Sequence, residues 1–539
     1  MDSSKINKIY QEIILALSNK KSLTSFDLEK IKRIASKKYL ISLPKNSELL
    51  SVYHELVHRK VIPPRSALAR LLVTRRVRSL SGVTVISVLT KPYPCPGNCL
   101  YCPDQKGVPR SYLRNEPAVM RAIDNNYDPY LQTINRIKAL KRLGHPVDKL
   151  ELIVIGGTWS SLPKKYQTSF IHQCFQAANM KKSKSLEEAQ RINTKSPHRI
   201  IGLTVETRPD YITQKDIIRM RRLGVTKIEL GVQCLNEEIL SFNRRGHGLK
   251  AIIDATRLLK DAGFKIGYHL MLNLPGANIA QEKKDALKIF QEDDFRPDFL
   301  KIYPTAIVAE APLYQLWKEG KYKPYQRKEL IDLIKFVKKN TPDYCRIQRV
   351  IRDIPSESVP VGPVRTTNLR EIILQQLKEE GTPCRCIRCR EIKDQDIDFK
   401  PILFREDYAS GKGLDIFLTF ENKDKTHLLA LLRLRIPSYA FTHKTHFIPH
   451  LEGAALIREV HTYGQHLNLG SQSTISPQHR GLGKKLIEEA EIIIKREYHS
   501  QIRKIAIIAG IGTREYYQHL GYQLEGTYMV KNLFQTKNT

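Results

Sequence analysis

Val83-Thr84-Val85-Ile86-Ser87-Val88-Leu89 runs straight into Thr90-Lys91-Pro92-Tyr93-Pro94-Cys95-Pro96-Gly97-Asn98-Cys99-Leu100-Tyr101-Cys102. The first part is a short β-branched run of the length of a buried strand. The second is a loop carrying Cys95, Cys99 and Cys102 at the spacing C-x3-C-x2-C, set just past the strand's C-terminal end. Three thiolates there can hold three irons of a 4Fe–4S cluster and leave the fourth iron open to a ligand. A zinc knuckle would call for a fourth Cys or His close by, and none follows.

Outward from that loop, five more strand-like runs follow: Leu150–Ile155, Ile200–Thr204, Val225–Val232, Lys265–Leu272 and Phe299–Tyr303. Between them lie segments of helical period, among them Tyr130–Leu143, Gln214–Leu223, Leu249–Ala262 and Ile279–Gln291. Strand-then-helix units build a parallel sheet, and six of them predict a partial (β/α)6 barrel with its chemistry on the loops after the strands. Gly156 and Gly157 end the second strand, Glu206 and Arg208 follow the third, and Gln233 follows the fourth, so all are expected on the face that carries the triad.

Near Lys400 the pattern changes again, to strand-like runs at Leu414–Phe420, Leu428–Ile436, Gly470–Ile475, Lys504–Ala509 and Tyr522–Val530 with helices at Leu482–Tyr498 and Thr513–Leu520. The turn Gln478-His479-Arg480-Gly481-Leu482-Gly483 opens the first of these helices. Glycines there let backbone N–H groups approach an anion, and the helix N-terminus favours negative charge, which suits a pyrophosphate. The expected organisation is a basic helical region over 1–78, a barrel over 79–345, a cysteine-bearing linker over 346–399 and a mixed α/β domain over 400–539.

The 539 residues carry a formal net charge of +34, with 41% hydrophobic and 27% charged residues. The composition is that of a folded globular chain, and the charge points to a polyanion partner, nucleic acid first. Arg65, Arg70, Arg75, Arg76 and Arg78 form an acid-free stretch suited to a phosphate track. A second triad, Cys384-x-Cys386-x2-Cys389, suits zinc with a distant fourth ligand. Cysteines clustered for metal indicate a reducing, cytoplasmic setting. No apolar run approaches the roughly 18 residues that span a bilayer, and no secretory signal is visible.

The first triad, with Tyr101 ahead of its last cysteine and the β/α units behind it, resembles the radical S-adenosylmethionine (SAM) superfamily. That resemblance implies that the open iron chelates SAM and that its cleavage yields a 5′-deoxyadenosyl radical. It makes Gly156 and Gly157 the contact to the SAM amino group, with Glu206, Arg208 and Gln233 beside them. The C-terminal part resembles the N-acetyltransferases of the GNAT type, which implies acetyl-CoA, with Tyr517 at the thioester end.

End to end, the chain is similar to the family of Elongator catalytic subunits, which modify the wobble uridine of tRNA. The likeness lies in Tyr127-Asp128-Pro129, Val205-Glu206-Thr207-Arg208-Pro209-Asp210-Tyr211, Leu230-Gly231-Val232-Gln233, Lys301-Ile302-Tyr303-Pro304-Thr305, Asn368-Leu369-Arg370-Glu371 and Gly512-Thr513-Arg514-Glu515-Tyr516-Tyr517. It implies acetyl-CoA contacts at Lys149, Glu459, Val460, His461, Thr462, Leu482, Gly483, Lys484 and Tyr517, alongside Gln478 and Gly481 of the turn. Lys149, His461 and Tyr517 would be the catalytic groups. It further implies a structural zinc on the second triad, the anticodon stem-loop as substrate, and a homodimer or Elongator-like accessory subunits. The reaction so implied joins an acetyl-derived group to carbon 5 of the wobble uridine. The alternative is a protein-lysine acetyltransferase whose iron–sulfur module is only structural.

Overall fold

The computed structural model describes residues 3–74, 82–363, 368–393, 399–442, 444–464 and 481–534. Arg75, Arg76, Arg78, Gln478 and the expected strand Gly470–Ile475 lie outside the described residues. Four helices, Ser3–Ser18, Ser25–Tyr39, Asn46–His58 and Ser66–Leu72, open the chain around a small core of their own that includes Ile14, Leu17, Leu49 and Leu68. Arg65 turns its guanidinium back onto the Ser18 and Lys21 carbonyls at 2.9 Å each, tying the helix ends together.

Six strands then appear where the apolar runs predict them: β1 Thr84–Leu89, β2 Lys149–Ile155, β3 Arg199–Thr207, β4 Lys227–Gln233, β5 Lys265–Leu272 and β6 Phe299–Pro304. A short seventh, β7 Arg346–Arg349, joins the edge. All pair in parallel and in sequence order. The crossovers are helices stopped and started by local chemistry. Pro129–Arg142 starts at Asp128, whose carboxylate accepts from the Leu131 N–H at 2.7 Å, with proline at the first position. Gln214–Leu223 has a capping box between Thr213 and Asp216 and ends at Gly224 in the left-handed region.

The second sheet holds β8 Ile402–Ser410, β9 Gly413–Glu421, β10 Leu428–Ile436, β11 Ala454–Thr462, β12 Lys504–Ile507, β13 Gln523–Glu525 and β14 Tyr528–Asn532. Its order is β13-β14-β12-β11-β10-β9-β8, antiparallel except where β11 meets β12 in parallel. The helix Leu482–Glu497 starts beside the C-terminal end of β11, near Val460 and Thr462. The run expected as one strand over Tyr522–Val530 is a hairpin, turned at Gly526 with φ +57°. β8 and β11 were not expected. Ala454-Ala455-Leu456-Ile457-Arg458-Glu459 is rich in helix formers, and pairing to β10 and β12 overrides that local preference.

A lattice of buried charges joins the second sheet to the barrel. Arg458 donates to both carboxylate oxygens of Asp298, which stands at the entry to β6. Arg435 and Ser438 donate to Asp261, and Lys260 donates to Asp415 at 2.8 Å. All of these charged groups are at most 1% exposed. Lys260 is pushed down to about 8 by burial against the pull of Asp415 and Asp298. Among the described residues, no helix is long and apolar enough to cross a membrane.

Candidate active sites at the two ends of the barrel

β1 ends at Leu89, so Cys95, Cys99 and Cys102 fall on the C-terminal side of the sheet, as the spacing predicts. Cys99 is buried and the other two sulfurs are partly so, all as free thiols. Burial and the adjacent Cys99 and Cys95 push the Cys102 thiol up to about 12. A thiol this costly to ionise is readily deprotonated only by a metal that takes up the charge. The loop is braced by Arg110, which donates to the Gly97 carbonyl at 3.1 Å and to Asn98 at 2.9 Å.

The residues expected beside the triad do gather at this end. Gly156 and Gly157 have φ of +130° and +102°, and a Cβ on Gly156 would stand 2.1 Å from the Thr90 hydroxyl. Only glycine therefore lets the β2 turn lie against the start of the cysteine loop. Thr90 Oγ1 is buried there without a partner. Arg208 grips Asp210 through Nε and Nη2, leaving a buried Nη1 with no partner beside Gly97. Glu206 accepts from the Tyr112 hydroxyl at 2.9 Å and lies 3.5 Å from Lys301. Gln233 ends β4 in the left-handed region, at φ +75°. Unsatisfied donors and a glycine floor beside three thiols fit an iron–sulfur cluster with a carboxylate-bearing and amino-bearing ligand.

Beneath them, charges cross the strands. Glu229 of β4 pairs with Lys301 of β6, with Lys227 at 3.0 Å and with His269 of β5 at 3.0 Å. Glu206, Glu229 and His269 bring ligand-type atoms within 4.8 Å of one another. Lysines already neutralise this group and hold Glu229 well below the usual carboxylate range despite its burial. None of Glu229, His269, Lys301 or Tyr112 was named from the sequence as a site residue. The available signal was charge at every second position, Lys227 and Glu229, within otherwise apolar β4.

The second constellation lies at the opposite end of the same strands. Lys149, Arg199, Lys265 and Arg346 are the first residues of β2, β3, β5 and β7. Lys265 reaches Glu459 at 3.7 Å, Arg346 donates to the Tyr463 hydroxyl at 3.3 Å, and Arg199 donates to Glu515 at 3.2 Å. A Cβ on Gly510 or Gly512 would strike the Ile201 and Arg199 backbone, so these glycines permit the close docking. Lys149 pairs in register with Arg199 and is half-buried, which lowers its pKa against the pull of Asp148.

Along β11, Glu459 also accepts from Arg433 at 2.8 Å, and Lys265 and Arg433 hold it near 2 despite burial. A Cβ on Gly483 would stand 3.5 Å from Thr462 Cγ2, 3.7 Å from Val460 Cγ1 and 3.8 Å from the Tyr516 hydroxyl. Val460, Thr462 and Gly483 thus share one wall with Tyr516, a residue not named from the sequence as a contact. Tyr517 is buried, edge-on to Tyr516 and Tyr522. Gly481 precedes Leu482–Glu497 with φ +68°, and the first turn of that helix has no side-chain cap and no acid. Leu482 is buried and anchors the helix, while Lys484 points outward to Glu488.

His461 keeps Nε2 buried without a partner, and burial together with Arg346 and Lys265 pushes its imidazole down to about 4 against the pull of Glu459. Its folded pKa lies below the unfolded value near 6.5, so the stability it permits is complete above about pH 6.5 and is lost as pH falls toward 4. Denaturant melts of parent and His461→Gln are expected to show about 2 kcal/mol of acid-induced loss between pH 8 and pH 5 in the parent that the variant lacks.

The second cysteine triad packs against β7, beside Arg346. The sulfurs of Cys384, Cys386 and Cys389 lie within 4.8 Å of one another. Hydrogen bonding with Cys384 and Cys389 holds Cys386 well below the usual thiol range, with Lys338 adding to the effect. Lys338 is fully buried and its Nζ has no partner. Three thiolates around a divalent ion would carry one net negative charge, which that ammonium balances, so the donor set fits zinc.

Residues 93–287 match the Radical SAM superfamily, and residues 297–379 match the Radical SAM C-terminal domain. The barrel with its cysteine loop is therefore a radical SAM domain, a class of enzyme that uses SAM and a 4Fe–4S cluster. Over 99% of both chains the protein is 41% identical to the tRNA uridine(34) acetyltransferase of Methanocaldococcus jannaschii. It is 38% identical to Elongator complex protein 3 of Homo sapiens, over 98% of this chain and 96% of that one. The solved archaeal Elp3 of Methanocaldococcus infernus, with residues 1–46 deleted, superposes with a TM-score of 0.72 at 40% identity, covering 84% of this chain and 99% of that one. The chain belongs to the family of tRNA uridine(34) acetyltransferases and Elongator complex protein 3.

Proposed function

We propose that the chain modifies the wobble uridine of tRNA, attaching an acetyl-derived group to carbon 5 with acetyl-CoA as donor and SAM as radical source. The observation that carries this reading is that the barrel bears a cysteine–arginine face at one end of its strands, while at the other end it meets a second domain with a glycine-opened helix start. The relatives' names add the substrate class, and the net charge of +34 suits a polyanion.

In this reading the chain divides its work along the expected boundaries. Residues 1–78 help hold the anticodon stem-loop, 79–345 carry the radical chemistry, 346–399 hold zinc and 400–539 bind acetyl-CoA. Cys95, Cys99 and Cys102 seat the cluster. Gly156 and Gly157 give SAM's amino end a close approach, and the free Nη1 of Arg208 is a donor for its carboxylate. Tyr112 and Lys301 contact Glu206 and fix its carboxylate at the end of β3. At the other end, the N–H groups after Gly481 receive the pyrophosphate. His461 stays neutral in this reading, and Lys149 and Tyr517 are the further catalytic groups. When bound, the cluster and SAM would supply radical chemistry able to activate the acetyl methyl, which suits a uracil C5 too weakly nucleophilic for plain acyl transfer. The setting is a reducing one, the cytoplasm, with a second copy or Elongator-like subunits as partners.

Anaerobic incubation of the reconstituted protein with SAM, acetyl-CoA and tRNA, followed by nucleoside mass spectrometry, tests this. A modified uridine that requires all three components is expected. Gly483→Glu should remove acetyl-CoA binding in calorimetry and the modified nucleoside with it, while SAM cleavage continues, because the new carboxylate faces the helix N-terminus. Acetylation of protein lysines without SAM cleavage, and no nucleoside product, would move the assignment to a lysine acetyltransferase.

A further inference from the structure

Between the short helix Glu237–Phe242 and the helix Leu249–Asp261 the chain reads Arg244-Arg245-Gly246-His247-Gly248, and Arg245 turns back onto the end of β4. It is 6% exposed. Its Nη1 donates to the Cys99 sulfur at 3.7 Å and its Nη2 to the Gly231 carbonyl at 2.6 Å. β4 makes room for it, since a Cβ on Gly231 would stand 2.7 Å from Nη2. Arg110 and Arg208 also border the cysteine loop but bind carbonyl, amide or carboxylate groups there. Among these guanidiniums, Arg245 is the one with a hydrogen bond to a triad sulfur.

We propose that Arg245 is a positioning residue that sets the reduction potential of the cluster through a charge-assisted N–H···S bond to Cys99. The inference rests on the radical SAM reading of the triad. Accepting an electron makes the cluster and its thiolates more negative. A buried cation that donates to one of those sulfurs stabilises the reduced form more than the oxidised one, and so raises the potential. Burial sharpens the effect, because little water screens the guanidinium. The structural gap at Gly231 gives the arrangement a second handle, independent of any change at residue 245.

Redox titration of the anaerobically reconstituted full-length protein, followed by electron paramagnetic resonance without acetyl-CoA or tRNA, tests the proposal. Arg245→Met is expected to keep the parent's iron per chain, to shift the midpoint to lower potential and to leave a smaller fraction of cluster reduced at a fixed dithionite concentration. Arg245→Lys, which keeps the charge without the forked donor, should fall between the two. Gly231→Ala, which displaces the guanidinium, should shift the midpoint the same way. An unchanged midpoint in Arg245→Met at full iron content overturns the proposal. So does loss of iron from both Arg245→Met and Gly231→Ala, which would make Arg245 a brace for the loop. A parent protein that binds no iron would instead defeat the radical SAM reading itself.

Discussion

Cys99→Ala is expected to lose the iron–sulfur absorption of the reconstituted protein and to reduce SAM cleavage to the level of a protein-free control. Three cysteines are the minimum that leaves one iron open, and no other described cysteine lies on the loop that carries them. Cys95→Ala and Cys102→Ala should behave alike. Cys174, fully buried in the barrel's helical layer and bonded to the Pro129 carbonyl, provides the control: Cys174→Ser should keep its iron. Cys384→Ala separates the two triads, since it should cost one equivalent of zinc and leave the visible spectrum in place. Affinity for tRNA should survive all of these changes, because the basic surface is spread over the chain. Iron retained in full by Cys99→Ala would mean that the cluster is held elsewhere.

Asp298→Ala is expected to destabilise the protein by about 3–5 kcal/mol in denaturant melts, a large part of the roughly 5–15 kcal/mol by which a domain is stable. The Asp298 carboxylate is fully buried, accepts from both terminal nitrogens of Arg458 and from the Ile266 N–H, and lies 3.5 Å from Arg433. Removing it leaves two guanidiniums without their main counter-charge where no water can reach them. The effect should also spread along β11, since Arg433, together with Lys265, holds Glu459. Asp332→Ala, which breaks only exposed pairs to Lys328 and Lys335, should cost less than about 1 kcal/mol. Equal stability of Asp298→Ala and the parent would show that the lattice is incidental to the docking of the two sheets.

How much of this was legible from residues alone differs from element to element. The alternation of apolar runs with helical segments was enough to place six parallel strands, because a strand buried on both faces has to be apolar nearly throughout. The triad was legible for a related reason: its ligands are neighbours in the chain, so their spacing survives without the fold. The seventh strand was too short to stand out. Glu206, Arg208 and Gln233 could be assigned to one face from the rule for strand ends, but Tyr112 and Lys301, the partners of Glu206, and Arg245, the partner of Cys99, come from distant loops and strands.

By itself, then, the sequence determined the barrel, the cysteine loop, the glycine turn that opens the last long helix and the positive charge, all of which are local in the chain or are properties of its composition. Only the tertiary structure decided that the two candidate sites stand at opposite ends of the same strands. It also decided that Tyr516 faces Gly483 while Tyr517 is buried, and that Arg433, Arg435 and Arg458 are core residues. Sequence patterns place charge outside by default. These arginines are inside because Asp261, Asp298 and Asp415, far away in the chain, meet them there, and a buried charge is tolerable only when its partner arrives from another part of the fold.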